Sequence, residues 1–415
     1  MRRLLLLCAT ALLVSCERGP ATAPAAGTQA PVEDWRVVVQ LPNAELPVRL
    51  HLAADDSEAW FVNGRERVEV AEIRRQRDAV VLRLPAFNNT LRLQRTAMGY
   101  RGSLTLVKRG YEQVMALSAE PYEGFRFVRD ARPAVDVTGR WEVVFTDDEG
   151  KLTPAVGEFD QQGAVLTGTF LLATGDYRFL AGEVDGRDIH LSTFDGAHAF
   201  VFSATALEDG RLAGDFWSGT RWHERWVARR NFDAALPDAF SLTHLKVGYD
   251  RLAFSFPDLD GKFVSLADEK YAGKVVLVSL AGTWCPNCAD EAEFLARFHH
   301  ENRDRGLEVI MLLYEHFEEF ARAARQGRAL RDKHGIDFDI LVAGSSDKTR
   351  AAETLPMLNH LLAFPTLIFV DRAGRVRGIH TGFSGPGTGR HYTEFKQKFT
   401  ALVERLLEER VPDRP

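Results

Sequence analysis

The sequence predicts a multidomain chain: an N-terminal antiparallel all-β region, with signs of internal duplication, followed by an α/β domain. Three observations carry this. Apolar residues alternate with period two across residues 35–230, broken by turn dipeptides. Beyond residue 252, unbroken apolar runs alternate with helical patterns. A Cys-x-x-Cys pair stands between the first such run and the first such helix. At 415 residues the chain is too long for one ordinary core. Its formal charge of −6, with both signs interspersed, argues against a nucleic-acid partner.

The first residues are expected to lie outside the fold. Arg2 and Arg3 precede the short apolar stretch Leu4 to Val14, as in an export signal, and no second apolar run is long enough to cross a bilayer. Leu13-Val14-Ser15-Cys16 resembles the lipobox of bacterial lipoproteins. That resemblance implies a signal over 1–15, lipidation of Cys16 and anchoring at the periplasmic face of a bacterial cell envelope. Residues 16–34, rich in Ala, Pro, Thr and Gly, then read as a flexible tether.

In the β region, Val80, Leu82 and Leu84 alternate with Val81 and Arg83, and Ile189, Leu191 and Thr193 repeat the pattern. Asn63-Gly64, Asp185-Gly186, Asp195-Gly196 and Asp209-Gly210 mark turns. Trp35 to Val39 resembles Trp141 to Phe145, Asp78 to Leu82 resembles Asp188 to Leu191, and Gly99 to Leu104 resembles Gly210 to Phe216. A spacing of roughly 110 residues suggests two units, 35–120 and 138–230, forming two sandwiches or barrels or one meander. Trp217, Trp222 and Trp226, with His223 and Glu224 between the last two, are expected in a β core or interface rather than at a ligand mouth.

Residues 231–251 read as a linker, and 252–411 as the α/β domain. Buried strands are expected at Val275 to Leu280, Leu307 to Leu313, Phe338 to Val342 and Thr366 to Val370, with a further strand at Arg375 to His380. Helices are expected after Cys288, over Phe317 to His334, and over Tyr392 to Glu409. Glu315 and His316 close a strand and, although a site role is open to them, are expected as an exposed loop pair.

Of four cysteines, Cys8 would leave with the signal and Cys16 would be acylated, so Cys285 and Cys288 remain as the one pair. Trp284-Cys285-Pro286-Asn287-Cys288 follows a strand and opens a helix, whose free N–H groups and dipole favour a thiolate. Cys285 is therefore the candidate nucleophile, and Cys288, one turn on, the thiol that resolves a mixed disulfide. Structural zinc would need two more ligands, and haem attachment a histidine where Ala289 stands. No metal and no cofactor is expected. Phe364-Pro365-Thr366 sits about 77 residues beyond Cys288, before a strand. In thioredoxin folds a proline so placed is cis and packs beside the dithiol.

Together, Gly282 to Cys288, Phe256 to Lys262 and Phe364 to Asp371 resemble the TlpA/ResA-like family of membrane-anchored, extracytoplasmic thioredoxin-like oxidoreductases. The resemblance covers about 252–411 and says nothing of 35–230. It implies a dithiol that reduces disulfides in exported proteins and is itself reduced by a membrane thiol donor. The family keeps a glutamate three residues past the second cysteine, here Glu291, which could tune a thiol or relay its proton. The buried aspartate of cytoplasmic thioredoxins, five residues before Trp284, is replaced by Ser279, which shifts any relay onto Glu291. The same residues would also serve a thiol oxidase or isomerase. An adaptor lipoprotein with an accessory redox domain is the alternative of another class. A peroxidase would need a Pro-x-x-x-Thr-x-x-Cys loop, which Ala281 to Cys285 lacks.

Overall fold

In a computed structural model of the protein, residues 32–55 and 57–410 are described. The anticipated leader and Cys16 lie outside them. Among the described residues, no helix is long and apolar enough to cross a membrane.

The first β unit is a nine-stranded antiparallel meander from Val32–Gln40 to Tyr111–Pro121, and these two terminal strands pair with each other. Its two edge strands, Glu66–Glu69 and Glu72–Gln76, are separated in sequence by only Val70 and Ala71, so the sheet must curl nearly shut. The first strand begins at Val32, within the stretch expected to be tether, because Asp34 is held by Arg49 at 2.8 Å and by His51 at 3.2 Å.

The second unit closes completely. Eight of its nine strands form the ring from Gly139–Asp147 to Trp222–Arg230, the first pairing with the last, while the two-residue Gly175–Asp176 only adds to Val165–Leu172. Leu152–Gln162 pairs with both Gly139–Asp147 and Val165–Leu172, so no gap remains around the ring. An eight-stranded barrel has an interior just wide enough for side chains to fill. Here Phe145, Phe170, Phe202, Phe216 and Trp226 fill it, each at most 1% exposed. Phe170 stacks on Phe202 at 4.8 Å between centroids and meets Trp226 edge-on at 5.3 Å. Trp226 is thus a core residue, Trp217 packs against the first unit's core, and Trp222 is exposed.

The segments that resemble one another in sequence hold equivalent places. Trp35–Val39 and Trp141–Phe145 lie in the first strand of each unit, and Gly99–Lys108 and Leu212–Ser218 are each the last strand but one. Ala79–Leu84 and Asp188–Phe194 are each fourth from the end. Phe194, Ala199 and Val201 join the first unit's core and weld the two units together. Between them Arg126 is buried and hydrogen-bonded to Ser192, Asn63 and the Val62 carbonyl.

The α/β domain is a five-stranded sheet in the spatial order 339–345, 307–315, 275–281, 366–370, 376–381. The first three are parallel, 366–370 runs antiparallel to 275–281, and 376–381 runs antiparallel to 366–370. Val275–Ala281 and Leu307–Glu315 are buried along their whole length, as unbroken apolar runs in a covered sheet should be. Helices Pro286–Asn302, Phe320–His334, Lys348–Thr354 and Arg390–Glu408 flank the sheet. The hairpin of Ser255–Pro257 with Phe263–Ser265 and the helix Lys348–Thr354 were not anticipated, both being too short for a periodic signal. The stretch 231–251 is docked rather than loose. It contains the helix Ala239–Leu242; Phe240 packs on Phe369 and His380, and Thr243 hydrogen-bonds Thr381 at 2.8 Å.

Candidate functional site

Val275–Ala281 ends in the sheet centre, and the chain turns through Gly282-Thr283-Trp284 into the helix Pro286–Asn302. Cys285 is that helix's N-cap, with Pro286 in its first turn, where a missing N–H costs nothing. The Cys288 N–H donates to Cys285 Sγ at 3.2 Å, and the two cysteines form a disulfide with their Cα atoms 5.2 Å apart. A thiolate at Cys285 would receive the same N–H together with the positive end of the helix.

The peptide bond from Phe364 to Pro365 is cis, and the Phe364 carbonyl oxygen lies 3.7 Å from Cys285 Sγ. Phe364 also meets the Trp284 ring edge-on at 5.8 Å. The fold therefore brings Trp284, Cys285, Pro286, Cys288, Phe364 and Pro365 together. Asn287 faces the second barrel, donating to the Asp176 carbonyl at 3.3 Å.

Two carboxyl groups lie under the motif. Glu291 is fully buried one turn beyond Cys288, and Ser279 Oγ donates to its Oε2 at 2.6 Å. Its Oε1 has no protein partner among the described residues. Burial pushes the Glu291 carboxyl up to about 8, against the pull of the Ser279 hydrogen bond, so it is neutral near pH 7. Glu315, 1% exposed, accepts from the Thr283 N–H at 2.8 Å and from Thr283 Oγ1 at 3.0 Å. Burial pushes Glu315 up to about 7.

The expectation that Glu315 and His316 form an exposed loop pair is thus wrong. Both are pulled beneath the dithiol turn, because the unpaired Thr283 N–H and hydroxyl need an acceptor there. His316 stacks on Trp284 at 4.5 Å, while Trp284 Nε1 donates to the Tyr314 carbonyl at 2.8 Å. Burial, then the charges of Lys108, Arg109 and His198, push His316 down to about 3, so a neutral imidazole supports the indole.

The β region reaches this site from two sides. Thr174, Asp176, Tyr177, Asp195, His198 and Phe200 face Trp284, Cys285 and Phe364 across a cleft of about 230 Å³. From the first unit, Arg109 pairs with Asp347 at 2.7 Å, and Asn88 Oδ1 accepts from Gln326 at 2.7 Å. No sequence signal tied Asp176, Asn88 or Arg109 to this site, since Asn287, Gln326 and Asp347 each lie more than a hundred positions from them. Among the described residues, no cluster of three or more His, Cys, Asp or Glu side chains is arranged to hold a metal ion.

The family model that matches is Redoxin, over residues 246–394. The thioredoxin-like protein YneN of Bacillus subtilis is 30% identical over 129 residues, covering 31% of this chain and 68% of the relative. The thiol-disulfide oxidoreductase ResA of Halalkalibacterium halodurans is 24% identical over 137 residues, covering 33% and 69%. Among solved structures, a thiol:disulfide interchange protein DsbE of Chlorobium tepidum, itself described as putative, aligns at 18% identity with a TM-score of 0.30, covering 39% of this chain and 99% of the other.

Proposed function

As the chain belongs to the TlpA/ResA-like family of thioredoxin-fold thiol-disulfide oxidoreductases, we propose that it reduces disulfides in exported proteins through Cys285 and Cys288. The observation that carries this reading is the placement of Cys285 Sγ on the Cys288 N–H at a helix start, beside the Phe364 carbonyl. In the reaction the Cys285 thiolate attacks one sulfur of the substrate disulfide. That bond breaks, a mixed disulfide forms, and the departing thiolate takes a proton. Cys288 then gives up its proton, attacks Cys285 Sγ and releases the second substrate thiol, leaving Cys285 and Cys288 oxidised. Glu291, on the same helix face as Cys288 one turn later, is the group we assign to take that proton when ionised, a form that is the minority near pH 7 and prevails above about pH 8. Trp284, Pro286, Asn287, Phe364 and Pro365 shape the site around the sulfurs.

The pair is returned to the dithiol by a membrane thiol donor, and lipidated Cys16 holds the chain at the periplasmic face of the cell envelope. The like-placed strands of the two β units also support the reading of a duplicated unit. An adaptor role in which a barrel stores a ligand is less well supported, since aromatic side chains fill the closed one.

The test is Cys288→Ser in the full chain in its host. Cys285 is expected to accumulate mixed disulfides with partner proteins, identified by mass. A variant as empty of adducts as the Cys285→Ser control would sink the assignment.

A further inference from the structure

The second barrel lays part of its rim over the dithiol. The strand Val165–Leu172 turns through Ala173 and Thr174 into Gly175–Asp176, and this turn meets the dithiol helix and the loop 382–385 of the α/β domain. Asp176 accepts from Asn287 at its carbonyl and from the Gly385 N–H at 2.8 Å on its side chain. Gly175 has φ +138°, a backbone conformation that favours glycine, and a Cβ there would press on Asn287 Nδ2 at 2.8 Å. Arg178 reaches Asp290, two residues past Cys288, and Glu66 of the first unit at 2.6 Å. That one guanidinium ties all three modules together. Burial opposes its charge, but Asp290, Glu66 and Asp195 win, holding Arg178 above even its usual range. The dithiol beneath, itself part of the α/β domain's core, is nearly closed: Cys285 is 6% exposed and Cys288 2%.

Size decides what can enter. Pockets that enclose a drug-sized ligand hold about 300–1,000 Å³, so a smaller cleft takes only a disulfide's sulfurs and their nearest flanking atoms, the rest of the substrate lying outside. The cleft above Cys285 offers about 230 Å³. We propose that the rim turn 173–178, bolted down by Arg178, is a selectivity roof that admits only slender disulfides to Cys285. Such a disulfide sits on a small molecule or on an unfolded stretch of chain, with no folded surface around it. The inference rests on the dithiol being the reacting group. Arg178 is a positioning residue that acts through the rim. The substrate disulfide takes two electrons and two protons from the dithiol, which becomes the Cys285–Cys288 disulfide.

The test uses the full chain, reduced beforehand, and follows oxidation of the dithiol by Trp284 fluorescence. Three oxidants are compared: glutathione disulfide, an unstructured peptide closed by one disulfide, and a folded domain whose disulfide lies flush with its surface. At least one slender oxidant is expected to react about 100-fold faster than the folded domain. In Arg178→Ala the folded domain should gain about tenfold while glutathione disulfide stays within twofold. Asp290→Asn, which frees the bolt from its other end, serves if the first variant does not fold. Faster reaction of glutathione disulfide than of the peptide assigns the roof to small molecules, and the reverse assigns it to chain segments. Equal rates for folded and slender oxidants in the intact chain, or an unchanged ratio in folded bolt variants, overturn the roof alone. If no oxidant touches the dithiol in any variant, the reading of the reacting pair falls and the roof with it.

Discussion

Ser279 donates a 2.6 Å hydrogen bond to Glu291, joining the central strand to the dithiol helix through two fully buried side chains. The strand position that holds an acid in cytoplasmic thioredoxins here holds the donor, and the acid comes from the helix. Glu291→Gln should therefore slow resolution of the mixed disulfide by about tenfold or more. It should also remove a step near pH 8 from the rate profile. Stopped-flow exchange across pH 6–9 reads both, and an unchanged profile would deny Glu291 the proton.

Stability should show the same carboxyl with a definite sign. Its folded value, about 8, lies above the ordinary 4.5, so the folded state holds the proton more tightly. The stability this adds is complete below about pH 4.5 and is lost as pH rises through about 8. Denaturant unfolding should show the wild type weakening over that window and Glu291→Gln weakening less. Identical slopes would show that the carboxyl does not titrate there.

Thr283→Val removes the hydroxyl held by Glu315 while the backbone N–H bond remains. A cost of about 1–3 kcal/mol is expected for a buried acceptor left short of a partner. Trp284 fluorescence should shift as well, since Thr283 sets the turn that holds the indole on His316. Chemical denaturation and emission spectra test the pair of effects.

Phe170→Ala should cost about 3–5 kcal/mol, because the ring touches Phe145, Phe159, Tyr177, Phe202 and Trp226 inside the closed barrel. Thermal unfolding should show the loss in the barrel's transition. A change under 1 kcal/mol would mean that the interior is loosely packed.

Acid should loosen the contact between the second barrel and the last helix. Burial pushes Glu158 up, yet His391, Arg390 and Arg140 together hold it below its usual value. The stability this gives is present above about pH 4.5 and disappears as pH falls through the lowered folded value. Small-angle scattering from pH 6 to 3 should show the chain expanding, and Glu158→Gln should already be expanded at pH 6.

The chemistry was legible because it is local. Strand, turn, Cys285, Pro286, Asn287 and Cys288 follow one another, and each local rule points the same way. The sheet strands were legible as apolar runs, although Leu307–Glu315 runs two residues further than expected and the helix ending at His334 begins at Phe320 rather than Phe317. Barrel closure was not legible: alternation tells which face is buried, not that Leu152–Gln162 and Val165–Leu172 complete a ring. Glu315 misled because an acid ending a strand usually meets water, and its partner Thr283 lies 32 positions away. Asp176 and Arg178 carried no signal, their use arising only when two domains meet.

A barrel packed solid with phenylalanines separates what must stay from what can vary. Its stability lives in the middle of the strands, so exposed hairpin tips such as 148–150 and 208–210, unlike the bolted turn 173–178, can lengthen, shorten or change charge at little cost. A lineage that holds the two sulfurs fixed can thus acquire new clients by editing such tips, leaving the reactive domain untouched.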